Sequence, residues 1–299
     1  AKQLPVNAQR ETLTMLADIL IAEGEYRLSQ KRYYELLPLL EESRALELVW
    51  LRLAQSQYQL SKWAIVEKSV KQQQHFQTLA KIEPRVLPLN MQLGAQLAQQ
   101  KWKSAIQTTA SLRELEPKNE VWWRQLIALY MQTHDHRNAL ITLQQADRAK
   151  FILSNQQLTL MAQLYAQSGV PYQAAKTYER LSDIGRDPEL IAQQAYYWQQ
   201  AKEWQLALMH WDRAANLKPQ YYKQYALLAI QQRELENALS AIDRMPNKDA
   251  SLLVIKTQIL NEMGKTEVAL NTITLAHQLS PSDSTATWLR YLTQRQAIR

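Results

Sequence analysis

Thr133-His134-Asp135-His136 places two imidazoles and a carboxylate side by side, a grouping that could ligate zinc. No further His or Cys is near it in the sequence, and polar residues are routine in a turn between helices. The cluster therefore reads as a solvated turn. His75, His210 and His277 stand alone and read as structural residues too. Glu41-Glu42 and Asp183 could be read as acid/base carboxylates, but helical surfaces carry many such residues, and these share no recognisable motif. The chain has no G-x-S-x-G, no P-loop and no H-E-x-x-H. It is expected to be no enzyme, with no catalytic residues, no metal site and no cofactor. Nine Trp and fourteen Tyr could stack nucleic-acid bases. Most of them fall at positions that recur along the chain, such as Tyr178, Trp198 and Trp211, and core packing accounts for those.

The elements that must hold these residues are helices. Five Gly and ten Pro in 299 residues are too few for a fold built on hairpins or phosphate loops. Leu, Ala, Gln, Glu, Lys and Arg dominate, and all are good helix formers. The length would suit about two ordinary domains. No apolar stretch reaches the ~18 residues of a membrane span. With no Cys, disulfides and Cys-based metal sites are excluded. The chain opens with Ala1-Lys2, without Met and without a leader, and is expected to be a trimmed or mature form.

The segment "MAQLYAQSGVPYQAAKTYERL", from Met161 to Leu181, has Ala and aromatic residues at helical spacing on both sides of Gly169-Val170-Pro171. Aligned on Ala174, Ala162 lies twelve residues before, Tyr178 four after and Leu181 seven after. The following block repeats these offsets with Ala195, Ala207, Trp211 and Ala214; the preceding one has Ile127, Ala139, Leu143 and Ala146; the last full one has Thr257, Ala269, Ile273 and Ala276. The small or branched position recurs at Ser29, Val66, Ala105, Ala139, Ala174, Ala207, Ala238 and Ala269, with spacings of 37, 39, 34, 35, 33, 31 and 31. Such a period marks a stack of repeats, none of which can bury its apolar face alone.

Each block predicts a helix A, a turn and a helix B. Gly169 ends helix A, and Pro171 can open helix B because its missing N–H is not needed there. Tyr26, Trp63, Trp102 and Trp204 are expected just before helix B, filling the gap to the next pair. Pro117, Pro219 and Pro281 punctuate the junctions between repeats. The early blocks are less regular. Gln73 stands where a small or apolar residue is expected, a polar stretch from Lys71 to Arg85 reads as a separating segment, and the Leu93-Gly94 block reads one residue short in its turn.

The period and the offsets resemble the tetratricopeptide (TPR) repeat, most specifically from Glu120 onward except for the short block at Ala238. The implied fold class is all-α: a right-handed α-solenoid of about eight TPR-like helix–turn–helix repeats with a C-terminal capping helix. The expected organisation is one continuous superhelix over 1–299, with divergent repeats in 1–85, regular repeats in 86–283 and the cap in 284–299. In TPR proteins helix A lines the inner groove. Its groove offsets supply Gln55, Gln59, Arg124, Gln132, Gln163, Gln167, Gln193, Tyr196, Gln199, Gln200, Lys223, Gln224, Gln231 and Gln258 here. Such a neutral, amide-rich groove can donate to and accept from an extended peptide backbone. Arg52, Arg124 and Lys223 are too scattered for the cationic clamp by which chaperone-binding TPR domains grip a terminal carboxylate. The net charge of +7 and pI near 9.4 raise nucleic acid or an anionic membrane as partners. Lys and Arg read as spread over turns and outer faces, as solubility charge, and a nucleic-acid partner is not expected.

"LTLMAQLYAQSGVPYQAAKTYERL" further resembles a group of TPR proteins encoded beside ExbB, ExbD and TonB in some Gram-negative bacteria. Their repeat reads approximately L-x-x-L-A-Q-L-Y-x-x-x-G-V-P-Y-x-A-A-x-x-x-E. Leu158, Ala162, Gln163, Leu164, Tyr165, Gly169, Val170, Pro171, Tyr172, Ala174, Ala175 and Glu179 match, and Met161 replaces Leu. The resemblance covers the middle third well and the ends loosely, and the matching residues are mostly structural. It implies a non-catalytic, periplasmic protein-interaction scaffold that serves TonB-dependent uptake of iron chelates or similar nutrients, with TonB, ExbB or ExbD as partners. A scaffold in pilus, secretion or cell-wall assembly, or a cytoplasmic adaptor, are the alternatives.

Overall fold

The computed structural model describes residues 5–246 and 248–297. Among them there are seventeen α-helices and no strand. They divide into two compact units, with the boundary after Phe151.

The first unit holds four antiparallel pairs: α1 (Val6–Ala22) with α2 (Tyr26–Leu36), α3 (Ser43–Gln59) with α4 (Trp63–Leu79), α5 (Val86–Ala98) with α6 (Trp102–Leu115), and α7 (Glu120–Gln132) with α8 (His136–Arg148). The second holds α9 (Asn155–Gln167) with α10 (Pro171–Tyr178), α11 (Pro188–Gln200) with α12 (Trp204–Leu217), α13 (Tyr222–Gln231) with α14 (Leu235–Asp243), and α15 (Ala250–Glu262) with α16 (Thr266–Leu279). The last helix, α17 (Asp283–Ala297), packs on α16. Within each unit every helix B also packs on the next helix A. This is a helical-repeat arrangement of TPR type.

All eight residues of the recurring small position, from Ser29 to Ala269, are fully buried. A side chain of this size lets helices A and B approach closely. The turns agree even more closely than the sequence does. Five residues before each small position the backbone enters the left-handed region, at Gly24, Ser61, Gln100, His134, Gly169, Lys202, Arg233 and Gly264, with φ between 55° and 79°. At each turn the next amide donates back five residues, as Lys62 does to Gln57 (2.9 Å) and Lys101 to Gln96 (2.9 Å). This is the Schellman closure of a helix C-terminus. Only three of the eight are glycine, so five side chains are held in a conformation that costs about 1–2 kcal/mol each. The Leu93-Gly94 block is not short after all. Its turn passes through Gln100 with the same bonds as the others, and Gly94 lies within α5.

Tyr26, Trp63, Trp102 and Trp204 are each the first residue of helix B rather than the residue before it, and all are half-buried. The polar stretch from Lys71 is largely helix, because α4 continues to Leu79. Gln73 and Gln77 face inward there and are buried. Gln73 donates to Glu47 and, at 3.1 Å, to Gln77; Arg85 also pairs with Glu47. A hydrogen-bonded polar cluster thus occupies a place that other repeats fill with apolar atoms, in keeping with the rule that buried polar groups find partners.

The cap begins at Asp283. Ser282 and Thr285 cap it reciprocally: the Thr285 amide donates to Ser282 Oγ (3.3 Å) and the Ser282 amide to Thr285 Oγ1 (3.0 Å). Leu292 on α17 is fully buried among Leu253, Leu260, Ala269, Ile273 and Ala276, so the helix closes the apolar face of the last pair.

Candidate protein-binding groove

The expected groove residues all lie on A helices. Gln55 and Gln59 are on α3, Arg124 and Gln132 on α7, and Gln163 and Gln167 on α9. Gln193, Tyr196, Gln199 and Gln200 are on α11, Lys223, Gln224 and Gln231 on α13, and Gln258 on α15. None is buried. The register explains this. Gln59, Gln132, Gln167, Gln200 and Gln231 are each the last residue of their helix and stand seven residues before the buried small position. A side chain there points away from helix B, and the fixed turn gives it the same place in every repeat.

In the first unit Gln55 and Gln59 share a trough of about 360 Å³. Tyr26, Arg52, Tyr58, Leu87 and Asn90 also line it. Arg52 reaches Asp18 (3.4 Å) and donates to Gln55 Oε1 (3.1 Å), so its charge is already shared within the fold. Gly94 explains the trough's shape. It occupies the register position that Gln55 and Gln163 hold in their own repeats, eleven before the small residue, and the Tyr58 ring of the preceding repeat lies over it. In the second unit Gln163 lines a trough of about 340 Å³. Its floor is Leu160, Leu181 and Leu190, and its rim is Asn155, Gln156 and Thr159.

Some expected groove residues work inside the fold instead. Gln199 accepts from the indole N–H of Trp211 (3.1 Å), tying α11 to α12, and Gln258 donates to Glu262 (3.1 Å) on its own helix. Arg124, Gln132, Gln167, Gln193, Tyr196, Gln200, Lys223, Gln224 and Gln231 line neither trough. The sequence reading missed Tyr26, Leu87 and Asn90. Asn90 stands fifteen before Ala105, the same register as Arg124 and Lys223, so its spacing could have revealed it. Tyr26 and Leu87 enter through packing between neighbouring repeats, which spacing within one repeat does not show.

The histidine cluster is part of a turn. His134 is the left-handed residue, Asp135 caps α8 by accepting from the Asn138 amide (3.1 Å), and His136 opens that helix. Among the described residues no three His, Cys, Asp or Glu side chains are grouped to hold a metal ion. His210 is buried, and burial pushes its pKa below the usual histidine value, with Arg213 adding to the effect. It packs within the fold as a neutral side chain.

No family model matches the chain, and no curated protein matches it. Similar solved structures include a tetratricopeptide repeat protein from Parabacteroides merdae, at 14% identity over 83% of this chain and 99% of that one, with a TM-score of 0.38. Naa15/Naa10 bound to HypK-THB is similar at 13% identity over 96% of this chain and 60% of that one, with a TM-score of 0.49. The TPR2AB domain of yeast Sti1, in a complex with pHSP90, is similar at 13% identity over 92% and 99%, with a TM-score of 0.41. The TPR-type reading of the fold rests on the chain's own period and its eight equivalent turns. Among the described residues no helix is long and apolar enough to cross a membrane.

Proposed function

We propose that the protein is a non-catalytic scaffold that holds an extended segment of a partner protein along its A helices. The observation that carries this reading is the recurrence of exposed glutamines in one register, at Gln59, Gln132, Gln167, Gln200 and Gln231. A primary amide both donates and accepts, which matches a peptide backbone of unspecified sequence. In the second unit Gln167, Gln200 and Gln231 stand on successive A helices, so an extended segment, advancing about 3.3 Å per residue, would meet one amide every few residues. The apolar floor at Leu160, Leu181 and Leu190 would take a side chain from the same segment.

The partner belongs, in the finer reading, to a TonB–ExbB–ExbD uptake system in the periplasm. The support for this is the resemblance of the Leu158–Glu179 stretch. In-cell photo-crosslinking from Gln163, with mass spectrometry of the trapped proteins, tests both levels. Recovery of TonB, ExbB, ExbD or an outer-membrane receptor is expected. Recovery of other envelope proteins would keep the scaffold and reject the uptake system, and recovery of cytoplasmic proteins alone would reject the setting. Gln163, Tyr196 and Gln200 changed together to Glu should abolish the crosslinked product without loss of helicity. Gln199 is left intact because Trp211 depends on it.

A further inference from the structure

On each helix B the residues two before, two after and five after the buried small position lie on the face opposite that position, because a helix turns about 100° per residue. In the first unit these places carry Arg27, Lys31, Lys68, Lys71, Lys103 and Arg137, and no carboxylate; nine after the small position, on the same side, α6 and α8 carry Glu114 and Arg148. All six are exposed, and none makes a side-chain hydrogen bond or ion pair among the described residues. Some other cations of this unit are engaged, as Lys101 is with Glu67 (2.6 Å) and Arg32 with Glu35 (2.8 Å). In the second unit the same places carry Lys176 against Glu179, Asp212, Glu236, Asp243 and Glu267. At these helix-B places the two units thus differ in sign, with cations in the first and mostly carboxylates in the second. Solubility alone does not require such segregation.

We infer that the outer face of α2, α4, α6 and α8 is a docking surface for an anionic lipid bilayer. The six cations stand on four successive helices and converge on no pocket, so they suit a broad charged surface rather than a small anion. Four of the six are Lys, compact point charges without the forked geometry by which Arg grips one phosphate or base. Lipid headgroups diffuse and can gather under charges that the fold holds at fixed spacing. The phosphates of a nucleic acid cannot. These places in the first unit carry one aromatic residue, Tyr34, whose hydroxyl is held by Gln57 Nε2 (3.2 Å), so the face lacks the successive rings on which a strand of bases stacks. The A-helix groove is not involved, so the inference stands apart from the proposed partner.

Each basic side chain near an anionic surface raises the binding constant about fivefold, and the attraction fades beyond a Debye length. The test is co-sedimentation of the full chain with phosphatidylglycerol-containing vesicles and with phosphatidylcholine vesicles, at low and high salt. Binding to the anionic vesicles only, released by about 0.5 M salt, is expected. The triple variant Lys68→Glu, Lys71→Glu, Lys103→Glu should bind at least about a hundredfold more weakly, with an unchanged circular dichroism melt. A second variant, Lys202→Glu, Lys265→Glu, Arg290→Glu, makes the same charge change at exposed places in the second unit and should bind nearly as the parent does. Equal binding to both lipids overturns the inference. So does equal loss in both variants, which would mean net charge alone. Tighter, equally K68E/K71E/K103E-sensitive binding to a 30-bp DNA duplex would reassign the face to nucleic acid.

Discussion

Gly94 lies in the middle of α5, where Ala is normally better than Gly by about 1 kcal/mol. Here the replacement should do harm. A Cβ on Gly94 would stand 2.9 Å from Cε2 and 3.0 Å from Cζ of Tyr58, with the phenolic oxygen nearer still. The ring cannot simply swing aside. It meets Trp63 edge-on at 5.2 Å between centroids and packs against the buried cluster of Leu51, Ala54, Val66 and Met91. Overpacking of this kind costs about 1–3 kcal/mol. Set against the gain in helix propensity, Gly94→Ala should destabilise the first unit by about 1 kcal/mol. With Tyr58 already changed to Ala the obstacle is gone, and the same substitution should stabilise by about 1 kcal/mol. The two effects define a coupling of about 2 kcal/mol, well above the error of a double-mutant cycle. Urea unfolding of the four proteins, followed by circular dichroism, measures it. If Gly94→Ala raises the midpoint of the parent, the close approach of Tyr58 does not govern this position. The substitution should also narrow the trough and weaken any photo-crosslink placed at Gln55.

The turns make a second prediction. Gln100→Gly and Lys202→Gly should each stabilise by about 0.5 kcal/mol, because relief of the left-handed strain slightly exceeds the entropy cost of Gly, while Gly169→Ala should cost about 1 kcal/mol; thermal melts decide. Leu292→Ala on the cap should cost about 2–5 kcal/mol and increase dye binding to the exposed face of α16, and an unchanged melt would mean that α17 does not close the core. Burial, then the neighbouring Tyr197, pushes the Tyr178 phenol up to about 12, and burial followed by the hydrogen bond to Asp18 raises Tyr33 as well. A pKa raised on folding contributes stability that is complete below the unfolded value near 10 and is lost as pH rises towards 12. Unfolding midpoints should therefore fall between pH 10 and 12, and Tyr178→Phe should flatten that fall. Asp249→Ala removes the side chain that accepts from the Leu252 amide (2.8 Å) at the start of α15, and should lower stability by about 1 kcal/mol in the same melts.

Much of the fold was legible because the small buried position recurs with nearly constant spacing, from Ser29 to Ala269. The turns were less legible. Gly169 and Gly264 announce a left-handed residue, whereas Gln100, Lys202 and Arg233 do not, since the surrounding bonds impose that conformation on residues with no preference for it. Tertiary context also decided the place of Gln73. A small or apolar residue is expected there, but Glu47 and Gln77 accept from its Nε2 and let the amide be buried. The groove was half legible. Register predicts which side chains leave helix A on the free side, and Gln55 and Gln163 do line troughs there. It does not report which of them meet a neighbour. Gln199 is tied to Trp211, and Tyr58 crosses to Gly94, through contacts that no single repeat encodes.

Ionic strength should separate the two surfaces. The groove carries amides, and its most central cation, Arg52, is already paired with Asp18, so a peptide bound there is held by hydrogen bonds and apolar contact. Those interactions change little with salt. The outer face of the first unit carries unpaired charge with no pocket beneath it, and its attraction should fade as the Debye length shrinks from about 10 Å at 0.1 M to about 3 Å at 1 M. A partner retained at high salt while the anionic vesicles are released would place the two activities on the two helix layers. Loss of both together would mean that one surface serves both, and would send the search for the partner back to the B helices.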